Sequence, residues 1–190
     1  MLKNKKIVML VGPGFEDLEF WVVYMRMVEE GAEVKIVGLN KGEEYVSKSG
    51  GFKVKSEFET SEISSEEVNA VLIPGGWAPD KLRRDEKVLK LVRKAYENGS
   101  LIGMICHAGL VGISAGIVKG KKATGSTGIK DDLKNAGAVW VDKPALRDGN
   151  IVWGRVVKDI PFYCRELIKA LLAKEESNVE KKNIKDDLNA

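Results

Sequence analysis

The sequence predicts an α/β protein, a doubly wound and mostly parallel sheet with helices on both faces. Short apolar runs such as Ile7–Val11 and Leu101–Ile105 alternate with longer segments whose apolar residues recur at helical spacing. The short runs are apolar at nearly every position, as strands covered on both faces are. Alternation of this kind joins parallel strands through crossover helices.

The elements follow in order. Ile7–Val11 is the first strand. Phe15–Glu30 carries Leu18, Val22, Met25 and Val28 at helical spacing and stops at Gly31, so it is read as a helix. Glu33–Gly38 is a second strand. Lys41–Glu57 alternates and contains Gly50-Gly51, which suggests a hairpin or an irregular strand pair. Ala70–Ile73 is strand-like and ends in Pro74-Gly75-Gly76. Asp85–Asn98 is an amphipathic helix closed by Gly99, and Leu101–Ile105 is the strand that delivers Cys106. Ala108–Ala115 and Ile129–Ala136 read as helices. Val139–Val141, Ala145–Arg147 and Ile151–Val156 read as short strands, and Pro161–Ala173 as a last helix with proline in its first turn. Residues 1–173 are expected to form one domain, and the mixed-charge segment 174–190 a frayed or solvated tail.

Bulk properties exclude several classes. The chain has 190 residues, 44% of them hydrophobic and 31% charged, ordinary for a soluble globular protein. A formal charge of +3 is too balanced to imply a nucleic-acid or anionic-membrane partner. No stretch approaches the roughly 18 apolar residues of a membrane span. The start runs directly into Glu16, Asp17 and Glu19 rather than to a cleavage site, so it is read as a strand and not a signal peptide. The two cysteines, Cys106 and Cys164, share no redox or metal spacing; a reducing, cytoplasmic setting with free thiols is the simplest reading. One histidine beside one cysteine falls short of a zinc ligand set, and V-G-P-G-F-E-D is no phosphate loop. Neither a metal nor a cofactor is expected.

In such sheets, sites form outside the carboxyl ends of the strands. Three segments fall there: Gly12–Glu16, Pro74–Asp80 and Cys106-His107. In G-M-I-C-H-A-G, small residues on both sides of Cys106 permit a sharp strand-to-helix turn, the logic of a nucleophile elbow. A helix N-terminus beneath Cys106 would favour its thiolate. His107, the only histidine, is the one imidazole available as general base or as a cation beside the thiol. The alternative is a buried structural cysteine. Gly75 and Gly76 expose backbone N–H groups that, with one from the elbow, would form an oxyanion hole. Glu16, shielded near Cys106, would stay protonated and donate to the thiolate; Glu19 lies one turn further on the same face. Trp77 would supply an apolar wall. Cys164 is read as packing, and Trp21, Trp140 and Trp153 as core or interface residues.

The motifs G-F-E-D-L-E, P-G-G-W-A-P-D-K-L-R, M-I-C-H-A-G and T-G-I-K-D-D-L-K-N-A-G-A, in that order, resemble the ThiJ/PfpI family, specifically its PfpI-type intracellular proteases. The match runs from about Lys5 to Leu172. The resemblance implies a flavodoxin-like fold, as in class I glutamine amidotransferases. It implies a nucleophilic Cys106 on a strained elbow with His107 as partner, and Glu16 as the buried acid beside it. It places the oxyanion site at Gly75, Gly76 and the His107 backbone. It also implies that Asp80 orients the histidine of a neighbouring subunit, and hence an obligate homo-oligomer, a dimer or hexamer. The activities implied are protease, deglycase acting on methylglyoxal adducts, or glyoxalase, all starting from thiolate attack on an electrophilic carbon. This chain departs from the family in having Ser126 and Thr127 where many relatives carry an aromatic residue, and A-G-L rather than G-P-Q after the histidine. The alternative function is an oxidant-sensing stress protein whose Cys106 is oxidised to a sulfinate without turnover.

Overall fold

The computed structural model describes residues 1–173. The chain runs β1 (Lys6–Leu10), α1 (Asp17–Glu29), β2 (Glu33–Gly38), β3 (Glu44–Val46), β4 (Lys53–Lys55), β5 (Phe58–Glu59), β6 (Ala70–Ile73), α2 (Ala78–Leu82), α3 (Glu86–Glu97), β7 (Leu101–Ile105) and α4 (Gly109–Ser114). It continues through β8 (Lys122–Ala123), α5 (Lys130–Asn135), β9 (Val139–Trp140), β10 (Ala145–Asp148), β11 (Ile151–Gly154) and a helix, α6, over residues 160–173. The tail expected over 174–190 lies outside the described residues.

Among the described residues the main sheet has seven strands in the order β10-β11-β7-β6-β1-β2-β5. All neighbours are parallel except the β10–β11 pair. This is the α/β architecture expected, a mostly parallel sheet covered by helices on both faces. Every residue of β6, β7 and β11 is buried, as continuous apolar runs in a doubly covered sheet should be. The expected hairpin is β3–β4. The strand read near Val139 is β9, which pairs with β8 in a ribbon of its own rather than joining the main sheet.

The helix expected over Phe15–Glu30 is α1. The stripe Leu18, Val22, Met25 and Val28 on α1 faces outward, each residue being exposed. The buried face carries Asp17, Glu19, Phe20, Val23 and Met27. Both stripes are apolar enough to serve, so periodicity alone does not choose between them. The aromatic cluster does: the Phe20 ring lies 5.1 Å from Phe15 and 5.3 Å from Trp21. Aromatic residues carry the larger burial gain, and turning α1 that way takes Glu19 into the interior.

The sheet order makes β7, β6 and β1 neighbours, so the turns after them meet at one edge. The turn after β6 is zipped to the turn after β1 by Glu16 N–H donating to Gly75 O at 3.2 Å and Trp77 N–H donating to Gly14 O at 2.8 Å. Further down β7, close packing requires Gly103: a Cβ there would lie 2.5 Å from the Tyr163 hydroxyl and 2.6 Å from Leu72 Cδ2. Gly103→Ala is expected to lower stability by about 1–3 kcal/mol through overpacking. Thermal unfolding should show a Tm lower by roughly 2–4 °C per kcal/mol; an unchanged Tm would contradict this packing.

Candidate active site

Cys106 stands at the end of β7 with φ +60°, a left-handed conformation that costs an L-residue on the order of 1 kcal/mol. Its neighbours make the turn possible. A Cβ on Gly75 would lie 2.8 Å from Cys106 Cβ and 2.5 Å from Glu19 Oε2. Gly76 takes φ +75°, and a Cβ on it would lie 2.6 Å from Glu16 N. The elbow leads into a 3-10 turn, Cys106–Ala108, and then the six-residue α4.

Sγ lies 3.3 Å from Nδ1 of His107. Burial, and then the charge of Lys48, hold the His107 pKa below its ordinary value of 6.5, so the ring is largely neutral at pH 7 and able to accept a proton. Its far nitrogen faces Gly128, where a Cβ would stand 3.2 Å from Nε2. Gly128 sits in a 3-10 turn, Thr127–Ile129, capped by Ser126, whose own N–H donates to Cys106 O at 3.1 Å. Ser126 thus braces the elbow and its histidine together.

The acid beside the sulfur is Glu19, which corrects the assignment to Glu16. Glu19 is fully buried, accepts the Gly75 N–H at 2.7 Å with Oε2, has Oε1 without a hydrogen-bond partner among the described residues, and lies close enough to Cys106 for its charge to act on the sulfur. Glu16 is the N-cap of α1: its Oε2 accepts the Glu19 N–H at 2.8 Å, and it stands half-buried at the cavity wall. A capping carboxylate at a helix start is drawn to the N-terminal N–H groups and solvent; the carboxyl three residues on is carried inward with Phe20 and Val23. The role of Gly75 changes with it. Its N–H is occupied by Glu19 rather than open to a substrate oxygen. The donors near Sγ are the N–H groups of Gly76 and His107.

The electrostatics also differ from expectation. Burial raises the Cys106 thiol pKa, and the charge and hydrogen bond of Glu19 push it the same way, outweighing the Gly76 and His107 N–H groups. A 3-10 turn followed by a helix this short supplies little dipole to oppose that. Burial likewise lifts Glu19 from its ordinary 4.5 to about 7, with the Glu16 charge adding to the rise. Two buried acids in contact titrate as a pair. Losing one proton leaves a single negative charge, on the carboxylate or, with the proton on Glu19, on sulfur. With Glu19 at about 7 and the thiol pushed up to about 12, the first arrangement is the resting one, and the elbow N–H groups lower the cost of the second.

A cavity of 420 Å³ opens onto this pair, lined by Glu16, Glu19, Gly76, Trp77, Cys106, His107 and Ser126, and by Lys48, Val156, Val157 and Lys158. Trp77 is 62% exposed and forms part of the wall. Asp80 does not line it; on α2 it forms an ion pair with Arg84 at 2.7 Å. Lys48, Val156, Val157 and Lys158 carried no signal in the sequence, because the fold alone brings the β3–β4 turn and the segment after β11 to this edge. Cys164 is buried in α6, as expected of a packing residue. Among the described residues no group of three or more His, Cys, Asp or Glu is placed to hold a metal ion, and no helix is long and apolar enough to cross a membrane.

A family model described as the DJ-1/PfpI family matches residues 5–170. Among curated proteins, the deglycase PH1704 of Pyrococcus horikoshii is 39% identical over 87% of this chain and 99% of its own length. The deglycase PfpI of Pyrococcus furiosus shares the same identity and coverage, and General stress protein 18 of Bacillus subtilis is 34% identical over 90% of this chain and 99% of its own. Among solved structures, a two-domain protein of Anabaena variabilis with DJ-1/ThiJ/PfpI-like and ferritin-like domains superposes with a TM-score of 0.86 at 34% identity, covering 88% of this chain and 48% of that one. DJ-1beta of Drosophila melanogaster gives 0.83 at 25% identity, covering 95% and 97%.

The raised Glu19 pKa has a consequence for stability. The folded state holds this proton more tightly than the unfolded chain, so stability is fullest below about pH 4.5 and is lost as pH rises to about 7. Across that window Glu19 should cost up to about 3 kcal/mol. Glu19→Gln is therefore expected to be more stable than wild type at pH 8 and little different at pH 4.5, by urea unfolding; parallel pH dependences for the two proteins would sink this account.

Proposed function

The chain belongs to the DJ-1/PfpI family, and from that premise we propose that it is a cysteine-nucleophile enzyme acting on carbonyl carbon. Its substrates are small oxoaldehydes or methylglyoxal-modified side chains, ahead of peptides. One observation carries this reading: a strained, cavity-facing Cys106 sulfur lies between the His107 imidazole at 3.3 Å and the buried carboxyl of Glu19.

Sulfur attacks the aldehyde carbon as thiolate. The carbonyl π pair moves to oxygen, beside the Gly76 and His107 N–H groups, and takes the proton from Glu19. The product is a hemithioacetal. The Glu19 carboxylate then removes the carbon-bound proton, which returns at the adjacent carbon while the hydroxyl proton passes to the neighbouring carbonyl oxygen, giving a 2-hydroxy thioester. Water hydrolyses the thioester to a 2-hydroxy acid and restores the thiol. Oxidation at one carbon balances reduction at the next, so no external oxidant or reductant enters. A glycated side chain offers its adduct carbon to the same sulfur. Peptide hydrolysis would need protonation of a leaving amine.

Turnover of methylglyoxal, a methylglyoxal-modified peptide and a fluorogenic peptide should rank in that order. Cys106→Ala should lower the first two by about 10³-fold or more without loss of fold by circular dichroism. Equal turnover by the Cys106→Ala protein would refute the cysteine mechanism.

The enzyme also acts, on this reading, as a homo-oligomer. The outward stripe of α1 is continued by Phe52, whose ring lies 6.4 Å from that of Trp21, and it would be covered by a second copy. Asp80, exposed on α2, is proposed to orient the neighbour's His107 across such an interface. If so, mixing Cys106→Ala with Asp80→Ala subunits should restore about a quarter to a half of wild-type activity by re-forming intact sites. Absence of recovery after exchange confirmed by native mass spectrometry would show that each chain orients its own histidine.

A further inference from the structure

We propose that the cavity selects carbonyl substrates that carry a carboxylate, and that Lys48 is the group that recognises it. This rests on the carbonyl-addition reading above and narrows its substrate class.

The cavity is negative at its floor and positive at its rim. The floor holds the Glu19–Cys106 pair. The rim carries Lys48 from the β3–β4 turn and Lys158 from the 3-10 turn Val157–Asp159 after β11. The remaining carboxylate of the lining, Glu16, is engaged at the start of α1. Lys41, Lys53, Lys87 and Lys94 each stand within 4 Å of a carboxylate. Lys48 and Lys158 form no such pair among the described residues.

Lys48 is held in place from its backbone. Its N–H donates to Phe15 O at 2.8 Å, and Gly14 N–H donates to Val46 O at 2.9 Å, which ties the turn to the segment between β1 and α1. Asp17 takes the Ser49 N–H at 3.3 Å and the Ser49 hydroxyl. The Lys48 ammonium rests 5.9 Å from the centre of the Trp77 ring. A ring face is a weak ligand for a cation at an exposed site, so a carboxylate arriving there displaces little. A substrate whose aldehyde carbon reaches Sγ therefore leaves its distal end beside Lys48 and Lys158. A carboxylate is attracted there, whereas the guanidinium of a glycated arginine is repelled. The covalent step is unchanged: a carbon–sulfur bond forms and the carbonyl π pair takes the Glu19 proton.

Two measurements test this. Alkylation of Cys106 by iodoacetate and by iodoacetamide, followed by peptide mass, compares a carboxylate with its neutral isostere and needs no turnover. Normalised to free cysteine, the iodoacetate-to-iodoacetamide ratio is expected to be about fivefold higher at Cys106, the size of an exposed ion-pair contribution. It should fall toward the free-cysteine ratio in Lys48→Gln and with added salt, and keep its value in Lys90→Gln on α3. In turnover, the kcat/KM ratio of 4,5-dioxopentanoate to methylglyoxal should drop about fivefold in Lys48→Gln, mainly through KM. Methylglyoxal turnover without any alkylation preference overturns this inference and leaves the proposed reaction standing. A Lys48-dependent alkylation preference without turnover of either aldehyde upholds anion selection and overturns the reaction.

Discussion

Glu19 holds a carboxyl group out of water against the Cys106 sulfur, and the surrounding structure is arranged to tolerate that burial. An isolated buried carboxylate is costly, so the group needs a donor and a shared proton. Gly75 supplies the donor, and it can do so only because it lacks a side chain: a Cβ there would collide with both Glu19 and Cys106. Gly76 must turn left-handed to bring its own N–H to the sulfur. Cys106 must itself take a positive φ to face the carboxyl. The P-G-G turn and the elbow are thus two halves of one requirement, met from neighbouring strands.

That requirement explains what could be read in the sequence and what could not. The elbow was legible because steric need leaves a local record: small residues on both sides of Cys106 at the end of an apolar run. The parallel sheet was legible for the same reason, through runs such as Ala70–Ile73 that are apolar at every position. The choice between Glu16 and Glu19 was not local. It depends on which of two apolar stripes of α1 faces the sheet, and Leu18, Val22 and Met25 make as good a periodicity as Phe20, Val23 and Met27. The aromatic contacts among Phe15, Phe20 and Trp21 decide it, and they exist only in the fold. Once Glu19 is inside, the occupancy of the Gly75 N–H follows. Lys48 was hidden more deeply still, since nothing about a lysine in a hairpin turn says which strand end the turn will rest on.

The two stripes of α1 have a physical cost. A helix apolar on opposite sides presents one face to its own core and leaves the other in water, where Met25 is 60% exposed. A chain that devotes the better-packing aromatic face to its own interior, and with it the acid the sulfur needs, leaves an aliphatic stripe for something else. Self-association is the simplest cover, because a second copy presents the same stripe and two-fold contacts are self-complementary. In that arrangement the acid beside the sulfur and the proposed interface are set by a single rotation of one helix.

The vertical ordering of charge in the cavity bears on how the proposed reaction would run. A floor pair that shares one proton suits addition to a carbonyl, since the acid that protonates the new oxygen becomes the base for the next proton. A depressed, freestanding thiolate would attack as readily but would leave no acid positioned beside the product oxygen. The raised thiol is therefore compatible with catalysis: the proton it retains is the one the first step uses. The positive rim acts in the same sense. The ammonium of Lys48 lowers the cost of negative charge on Glu19 and disfavours the imidazolium of His107, keeping the ring neutral and able to accept a proton. One lysine on a braced hairpin turn thus serves the electrostatics of the floor and, in the proposed selection, the choice of what enters above it.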